Sequence, residues 1–212
     1  MSKPGRIYVY KMTTDNGGAP AVWDGVLSLA ICKPQIRKSA SEGDFVIGVG
    51  AKTTIGERLI YVAQVTHKLR RGEYFRDPSY YDRPDCVYRW DGESKSFFWD
   101  PEKEYHSDED IAHDLGLRKN GYPKAQVLMS TRFSYFGSQG TESYKAKYPR
   151  VQTLVERLAQ GHRVNYSNPR LQELKSLLSE YLEMSSVSTP TEGRKDGRCN
   201  GRDDHHTVFS CS

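Results

Sequence analysis

Residues 27–48 read LSLAICKPQIRKSASEGDFVIG and contain an apolar run, a short basic segment and a second apolar run. The first run stops at Cys32, and Pro34 suits the first turn of a helix because its missing N–H would be unpaired there in any case. Gly43 is expected to end the helix, and Asp44 begins the next strand. The stretch therefore predicts a strand–helix–strand unit.

The basic residues of this unit suggest an anion site. Lys33 and Arg37 are four residues apart, which places them on one face of a helix over residues 34–41. Their charges and the free N–H groups at the helix start would attract a phosphate or carboxylate. The alternative is a helix with two solvated basic residues. For Cys32 the alternative is burial as a small apolar residue.

Further short strands are predicted on both sides of this unit. Residues 7–13 alternate and are rich in β-forming residues, and residues 125–137 form an apolar run that ends in aromatic residues. Residues 45–52 and 59–69 are separated by a turn at Gly56, so they are expected to pair as a hairpin. Most of the sheet is therefore expected to be antiparallel.

Two helices are predicted after the last strand. Apolar residues recur at helical spacing between residues 151 and 158, and a second apolar helix face follows Asn168 and Pro169. Short strands, an early inserted helix and terminal helices favour an α+β fold. The architecture expected is a small, partly open β-barrel with flanking helices and a C-terminal helix pair.

The chain of 212 residues fits one domain over residues 1–184. Residues 185–212 contain few large apolar residues and have balanced charge, so we expect a disordered tail. No run approaches the roughly 20 apolar residues that cross a bilayer. The first residues lack the pattern of a secretory signal. We therefore expect a cytoplasmic protein with no membrane partner.

Aromatic residues are frequent, with 14 Tyr, 7 Phe and 3 Trp. They cluster at residues 74–83, 97–100 and 133–137, the first two clusters also containing aspartate or arginine. Such groups suit a site that stacks flat rings, and the alternative is a tyrosine-rich core whose hydroxyls reach the surface. The net charge of +4 favours anionic partners only slightly.

Motifs for common cofactors are missing from the sequence, which has no Walker loop, dinucleotide fingerprint or serine nucleophile elbow. Zinc ligands are conceivable at Cys199, His205, His206 and Cys211. Their spacing matches no zinc pattern, and adjacent histidines seldom bind one ion. We therefore expect no cofactor and no metal.

Several motifs resemble those of known families. Residues 36–82 are similar to the core of PUA-like domains, notably the EVE and ASCH families, in their basic helix, Gly-Asp pair, two apolar strands and aromatic loop with Asp-Pro. Over about residues 5–165 the chain resembles the second nucleotide-modification-associated domain family. The segments that carry this second resemblance are DNGGAPAVWDGVLSLAICKPQIR (15–37), GDFVIG (43–48) and FSYFG (133–137).

The resemblance implies a PUA-like fold and a role beside the DNA-base modification or restriction systems of phages and bacteria. EVE and YTH members hold a flipped modified base in an aromatic cage. The leading hypothesis is therefore binding of a nucleic acid or a modified nucleotide, with base-modification or restriction enzymes as partners. By position, the expected nucleotide-binding residues are Trp23, Cys32, Lys33, Arg37, Tyr135 and Phe136.

The alternative is an enzyme, since some ASCH members resemble hydrolases of modified nucleosides. Such an enzyme would modify or hydrolyse a nucleobase or nucleoside, using Lys33 with Asp15 or Asp24, both expected on the pocket rim. A third alternative is an interaction protein that assembles through its C-terminal helices. Within FSYFG, side chains alternate, so we expect Tyr135 to face the ligand and Phe136 to enter the core.

Overall fold

The structure is a computed structural model, and it describes residues 5–159 and 161–184. Within these ranges the chain forms eleven strands in three sheets and six α-helices. The tail expected over residues 185–212 lies outside the described residues, as do the cysteines and histidines considered as zinc ligands.

The elements are numbered in chain order. The strands are β1 Ile7–Met12, β2 Ala21–Trp23, β3 Val26–Leu29, β4 Phe45–Gly50, β5 Leu59–Gln64, β6 His67–Leu69, β7 Tyr88–Asp91, β8 Ser96–Trp99, β9 Val127–Ser130, β10 Arg132–Tyr135 and β11 His162–Arg163. The helices are α1 Pro34–Ser39, α2 Glu73–Arg76, α3 Ile111–Asp114, α4 Tyr144–Lys147, α5 Pro149–Arg157 and α6 Asn168–Met184.

Two larger sheets form the centre of the molecule. One has the order β10-β5-β4-β1-β11, and the other has the order β2-β3-β9-β6. Strands β1 and β4 are parallel, and the remaining pairs are antiparallel, including the predicted β4–β5 hairpin. Strand β9 ends at Ser130 and β10 begins at Arg132, so the chain passes from one sheet to the other within one residue.

The α+β class is confirmed. Among the described residues no sheet closes into a barrel, and a PUA-like architecture stays a prediction. The strand–helix–strand unit is present as β3, α1 and β4, but its two strands belong to different sheets. Helix α1 therefore lies at the junction of the two sheets.

Three apolar clusters form the core. The first lies between the five-stranded sheet and the helices α4 to α6, and the second lies between the two larger sheets. Helix α6 buries the apolar face that its spacing predicts, including Leu174, Leu177 and Leu178. Burial of a leucine contributes roughly 1.5–3 kcal/mol relative to exposure. The terminal helices thus stabilise one face of the five-stranded sheet.

The third cluster lies under the long segment over residues 70–124, which includes the small β7–β8 sheet. A buried polar group joins this segment to β3. The carboxylate of Asp85 accepts hydrogen bonds from Ser28 Oγ at 2.5 Å and from Tyr74 Oη at 2.6 Å. Arg83 Nη2 donates to the same Ser28 Oγ at 2.7 Å. The segment is thereby fixed over the end of β3, beside α1.

Candidate functional site

Cys32 and Lys33 connect β3 to α1 through a strained turn. Their φ angles are 53° and 42°, in the left-handed region that residues other than glycine seldom occupy. Each such residue costs on the order of 1–3 kcal/mol and persists only where the surrounding contacts over-determine it. The turn therefore needs a framework that holds it.

Arg37 supplies much of that framework. Its side chain is 0% exposed, and all five of its N–H donors have acceptors within the protein. Nε donates to the carbonyl oxygen of Cys32 at 2.7 Å, and Nη1 donates to those of Lys124 and Gln126 at 3.0 and 2.7 Å. Nη2 donates to the carbonyl oxygen and to Oδ1 of Asp114, at 2.9 and 3.3 Å.

The expectation that Arg37 faces an anion at the surface, together with Lys33, is wrong. The physical reason is that α1 is covered on two sides. Ile36 packs into the core between the sheets, and the guanidinium of Arg37 meets backbone oxygens and a carboxylate at the end of the 70–124 segment and just beyond it. The exposed residues of α1 are Gln35, Lys38 and Ser39, and Arg37 lies on a covered side of the helix.

Asp114 holds the same turn from the other side and is also 0% exposed. Its Oδ1 accepts from the backbone N–H of Cys32 at 2.8 Å, and its Oδ2 accepts from Tyr88 Oη at 2.9 Å. The Nδ1 atom of His106 lies 2.7 Å from Oδ2. We call Arg37, Asp114, Tyr88 and His106 the Arg37–Asp114 network. It fixes both the N–H and the C=O of Cys32.

The charges of this network stabilise each other. Burial by itself raises the pKa of Asp114, but hydrogen bonds from His106 and His113 and the charge of Arg37 outweigh burial and hold the pKa well below its ordinary value. Burial lowers the pKa of His106, and the hydrogen bond and charge of Asp114 outweigh it, so the pKa is raised. The carboxylate is therefore ionised at neutral pH.

His106 is a member of this site that sequence reasoning missed. Its φ is 64°, and its Nε2 lies 3.3 Å from Sγ of Cys32. Because Asp114 faces Nδ1 of the same ring, the carboxylate sets the orientation in which the imidazole meets the sulfur. No spacing in the sequence relates residue 106 to residue 32, so this contact depends on the fold alone.

A second buried polar group lies beside the turn. We call Asp15, Tyr10, Tyr61 and Tyr135 the Asp15 cluster. Tyr135 Oη donates to Asp15 Oδ2 at 2.8 Å, and Tyr61 Oη donates to Tyr10 Oη at 3.0 Å. The Nζ atom of Lys33 lies 5.6 Å from the centre of the Tyr10 ring. The structure thus joins Asp15 and Tyr135 directly, and Lys33 reaches the same cluster at the Tyr10 ring.

The carboxylate of Asp15 is incompletely satisfied. The residue is 5% exposed, and its Oδ1 has no hydrogen-bond partner among the described residues. Burial raises the pKa of Asp15 to about 6, although the hydrogen bond from Tyr135 and the nearby backbone N–H of Gly17 act in the opposite direction. A buried acceptor left without a partner costs about 1–3 kcal/mol. Such a group calls for a physical explanation, and a ligand that donates a hydrogen bond to it is one.

A loop and an aromatic ring lie next to the Asp15 carboxylate. Tyr105 Oη donates to the carbonyl oxygen of Asn16 at 2.7 Å, and Asn16 Oδ1 accepts from the N–H of Gly18 at 3.2 Å. A Cβ atom at Gly18 would lie 2.9 Å from the Tyr105 ring, so the loop and the ring are in close contact. Residues 16–18 and Tyr105 therefore form one cover beside the cluster.

The space between the two larger sheets is almost filled. A small apolar cavity of about 10 Å³ is bounded by Tyr61, Leu29 and Leu128, among other residues. This volume is that of about one water-sized sphere. A nucleobase does not fit in this cavity.

Trp23 and Asp24 form the tip of the β2–β3 hairpin. Asp24 and Gly25 have φ angles of 47° and 69°, which suit the two central residues of a type I′ turn. Trp23 is 48% exposed. The structure describes no hydrogen bond or ring contact between these residues and the Asp15 cluster. They are surface features of a neighbouring strand pair.

The two aromatic residues at the end of β10 lie on opposite faces of their sheet. Tyr135 is 0% exposed and packs in the cluster between the sheets. Phe136 packs against the other core, where its ring lies perpendicular to that of Tyr181 at 5.6 Å. The alternation expected from the strand pattern is confirmed, and the hydroxyl of Tyr135 finds its polar partner in Asp15.

The fold and its buried polar groups define an α+β domain with a polar site at a strand–helix junction. Comparison with protein families identifies nucleotide modification associated domain 2 over residues 4–196. The match covers most of the chain, which therefore belongs to this family. The family indicates a role in nucleotide modification systems. No curated protein and no solved structure matches the chain.

Two further observations concern metals and membranes. In the part of the chain that the structure describes, no three His, Cys, Asp or Glu side chains are arranged to hold a metal ion. Within residues 5–159 and 161–184, no helix combines the length and apolar character needed to cross a bilayer.

Proposed function

We propose that this chain binds a nucleotide, free or within a nucleic acid, at the Asp15 cluster and serves as a recognition module in a nucleotide modification system. The observation that carries this proposal is the buried Oδ1 of Asp15, which has no partner among the described residues. Recognition of a base requires hydrogen bonds to its edge, aromatic faces and a cation for the phosphate. The cluster supplies the hydrogen-bonding groups and the aromatic rings, and Lys33, beside the Tyr10 ring, supplies the cation.

The residues have different roles in this proposal. Asp15 and Tyr135 face the base, and Lys33 contacts the phosphate. Arg37 acts indirectly, because it holds the Cys32 carbonyl and thereby the direction in which Lys33 leaves the turn. Trp23 at the hairpin tip stacks on a neighbouring base of a polynucleotide, and Phe136 supports β10 from the opposite face.

The base reaches the cluster by displacement of the cover. Tyr105 gives up its hydrogen bond to Asn16 and its contact with Gly18. The base then takes the place of the Tyr105 ring beside Asp15. Base-modification or restriction enzymes are the proposed partners that act on the bound nucleotide.

A second candidate function is an enzyme that modifies or hydrolyses a nucleobase or nucleoside. The raised pKa of Asp15, about 6, favours this alternative because a general base works best with a pKa near the operating pH. In that reaction Asp15 takes a proton from water or substrate, and Lys33 stabilises the developing negative charge. Asp24 has no comparable surroundings at the hairpin tip.

Calorimetric titration of the full chain with nucleoside monophosphates and short oligonucleotides, with and without modified bases, tests the proposal. We expect Lys33→Gln to weaken binding about tenfold or more, since a charge-assisted contact to phosphate is lost. Lys38→Gln is the matched control, because Lys38 is an exposed lysine on helix α1, which begins directly after Lys33. Equal effects of both substitutions, or no binding by the native chain, would contradict the proposal.

Mass spectrometry of the ligand after incubation separates the two candidate functions. A binding module returns the nucleotide unchanged, whereas an enzyme releases an altered base or nucleoside. Turnover that Asp15→Asn abolishes while binding persists would favour the enzyme.

A further inference from the structure

The acceptors of the Asp15 cluster restrict which edge of a base can bind there. An ionised carboxylate only accepts hydrogen bonds and offers about four lone-pair sites on two oxygens. Tyr135 donates to Oδ2, while Oδ1 accepts from no described residue. The ligand atom that meets Oδ1 therefore has to be a donor.

Both oxygens of Asp15 can take part in one contact. Oδ2 accepts from Tyr135 and keeps a second lone-pair direction, and Oδ1 keeps both of its own. Two parallel N–H donors on one planar group match two carboxylate oxygens, and such bidentate pairs are stronger and more selective than single hydrogen bonds. The site thus favours a base with two adjacent donors over a base with one.

The common bases differ in this respect. Guanine presents N1–H and N2–H₂ side by side, and hypoxanthine keeps N1–H but lacks the amine. Uracil and thymine present one N–H between two carbonyl oxygens. The carboxylate repels these oxygens because both groups carry negative charge and only accept hydrogen bonds. Adenine and cytosine place an acceptor nitrogen beside their amine, so only one donor faces the carboxylate.

From this geometry we infer that the Asp15 carboxylate selects guanine-type bases, whose edge donates two adjacent hydrogen bonds. The inference rests on the proposed function of the Asp15 cluster and adds the substrate class. Modified guanines that keep N1–H and N2–H₂ belong to the same class, since Asp15 reads only that edge. Substituents at the opposite edge of the purine do not contact Asp15, so they are limited only by the space beside the cover.

The comparison of GMP with IMP tests this inference on the native chain, because the two ligands differ only in the N2 amine. We expect GMP to bind roughly tenfold tighter than IMP, within the discrimination of about 1–3 kcal/mol that a bidentate base contact provides. UMP and AMP, which carry the same phosphate, are expected to bind more weakly than GMP. Calorimetry with the full chain gives all four dissociation constants.

Asp15→Asn provides the matched variant, because it keeps the shape and replaces one acceptor oxygen by a donor. We expect the preference for GMP over IMP to fall to about threefold or less, since an amide cannot accept two parallel hydrogen bonds. A melting curve of the variant reports its folding. If the variant does not fold, the dissociation constants of the native chain for GMP and IMP still test the inference.

The possible outcomes separate the inference from the function on which it rests. If none of the four nucleotides binds, the proposed function fails and the inference fails with it. If they bind through Lys33 but GMP and IMP bind equally, the inference is overturned and the proposed function stands. A native preference for GMP that Asp15→Asn leaves unchanged also overturns the inference.

Discussion

The two buried carboxylates Asp114 and Asp15 have opposite surroundings. Both oxygens of Asp114 accept several hydrogen bonds, and Arg37 lies beside it as a counter-ion. Asp15 has tyrosines as neighbours, one oxygen without a partner in the described part of the chain, and a pKa raised to about 6. One carboxylate is held in its charged form, and the other is destabilised in that form.

We interpret this difference as one between a carboxylate that supports the fold, Asp114, and one that is proposed to bind a ligand, Asp15. A buried polar network whose members are all satisfied rigidifies the structure around it, and here it fixes a turn with two left-handed residues. A buried acceptor that lacks a partner lowers stability until a ligand supplies the donor. Arg37, which the sequence analysis expected to bind a ligand, is a support, and Asp15 is the recognition group of the proposed function.

Arg37→Met should give the largest loss of stability. Removal of one partner leaves Asp114 buried and uncompensated, which costs about 3–5 kcal/mol. Urea unfolding followed by circular dichroism measures the change. Lys38→Met on the same helix is the control and should change the free energy of unfolding by less than about 0.5 kcal/mol. A loss below about 1 kcal/mol for Arg37→Met would mean that the network does not hold the turn.

Asp15→Asn should change the pH dependence of stability. The pKa of Asp15 is about 6 in the folded protein and 3.8 ordinarily, so between these pH values the folded state keeps a proton that the unfolded state releases. The contribution of Asp15 to the free energy of unfolding therefore falls as the pH rises from about 4 to 6, by up to about 3 kcal/mol. Asparagine does not titrate, so the free energy of unfolding of the variant does not fall for this reason.

Unfolding free energies of the two proteins at several pH values between 4 and 7 provide the measurement. His106 and the other titrating groups are present in both proteins, so the difference isolates Asp15. Parallel stability curves would show that Asp15 has an ordinary pKa and would remove the contrast with Asp114.

Tyr135→Phe and Tyr88→Phe form a matched pair, because each removes one O–H donor from one of the two carboxylates. We expect Tyr135→Phe to cost about 1–2 kcal/mol, since Asp15 loses its tyrosine donor. Tyr88→Phe should cost less than about 1 kcal/mol, because Asp114 keeps its other donors. Thermal and urea unfolding at neutral pH compare the two. The reverse order would contradict the assignment of support and recognition.

Lys33→Gln should give the smallest change in stability. The Lys33 side chain is half-buried above the Tyr10 ring, and surface substitutions of this kind usually stay within about 0.5 kcal/mol. The same variant is expected to lose nucleotide affinity, so the two measurements together distinguish a binding residue from a supporting one. A melting temperature that drops as far as that of Arg37→Met would place Lys33 in the supporting network.

Local patterns in the sequence determined much of the fold. The turn between β3 and α1, the β4–β5 hairpin and the amphipathic α6 follow from turn residues and apolar periodicity, which act over a few residues. The alternation that places Tyr135 and Phe136 on opposite faces of a sheet is equally local. The family resemblance, added to these patterns, named Asp15, Lys33 and Tyr135 as candidates before the fold was known.

Only the tertiary structure decided what these residues contact. Arg37 meets Asp114 across 77 residues, and Tyr135 meets Asp15 across 120 residues. Spacing on a helix predicts that two basic residues share a face, but it contains no information on whether another segment covers that face. Periodicity breaks down over residues 70–105, and the packing of the 70–124 segment over the end of β3 and α1 makes Arg37, a predicted anion ligand, a buried support.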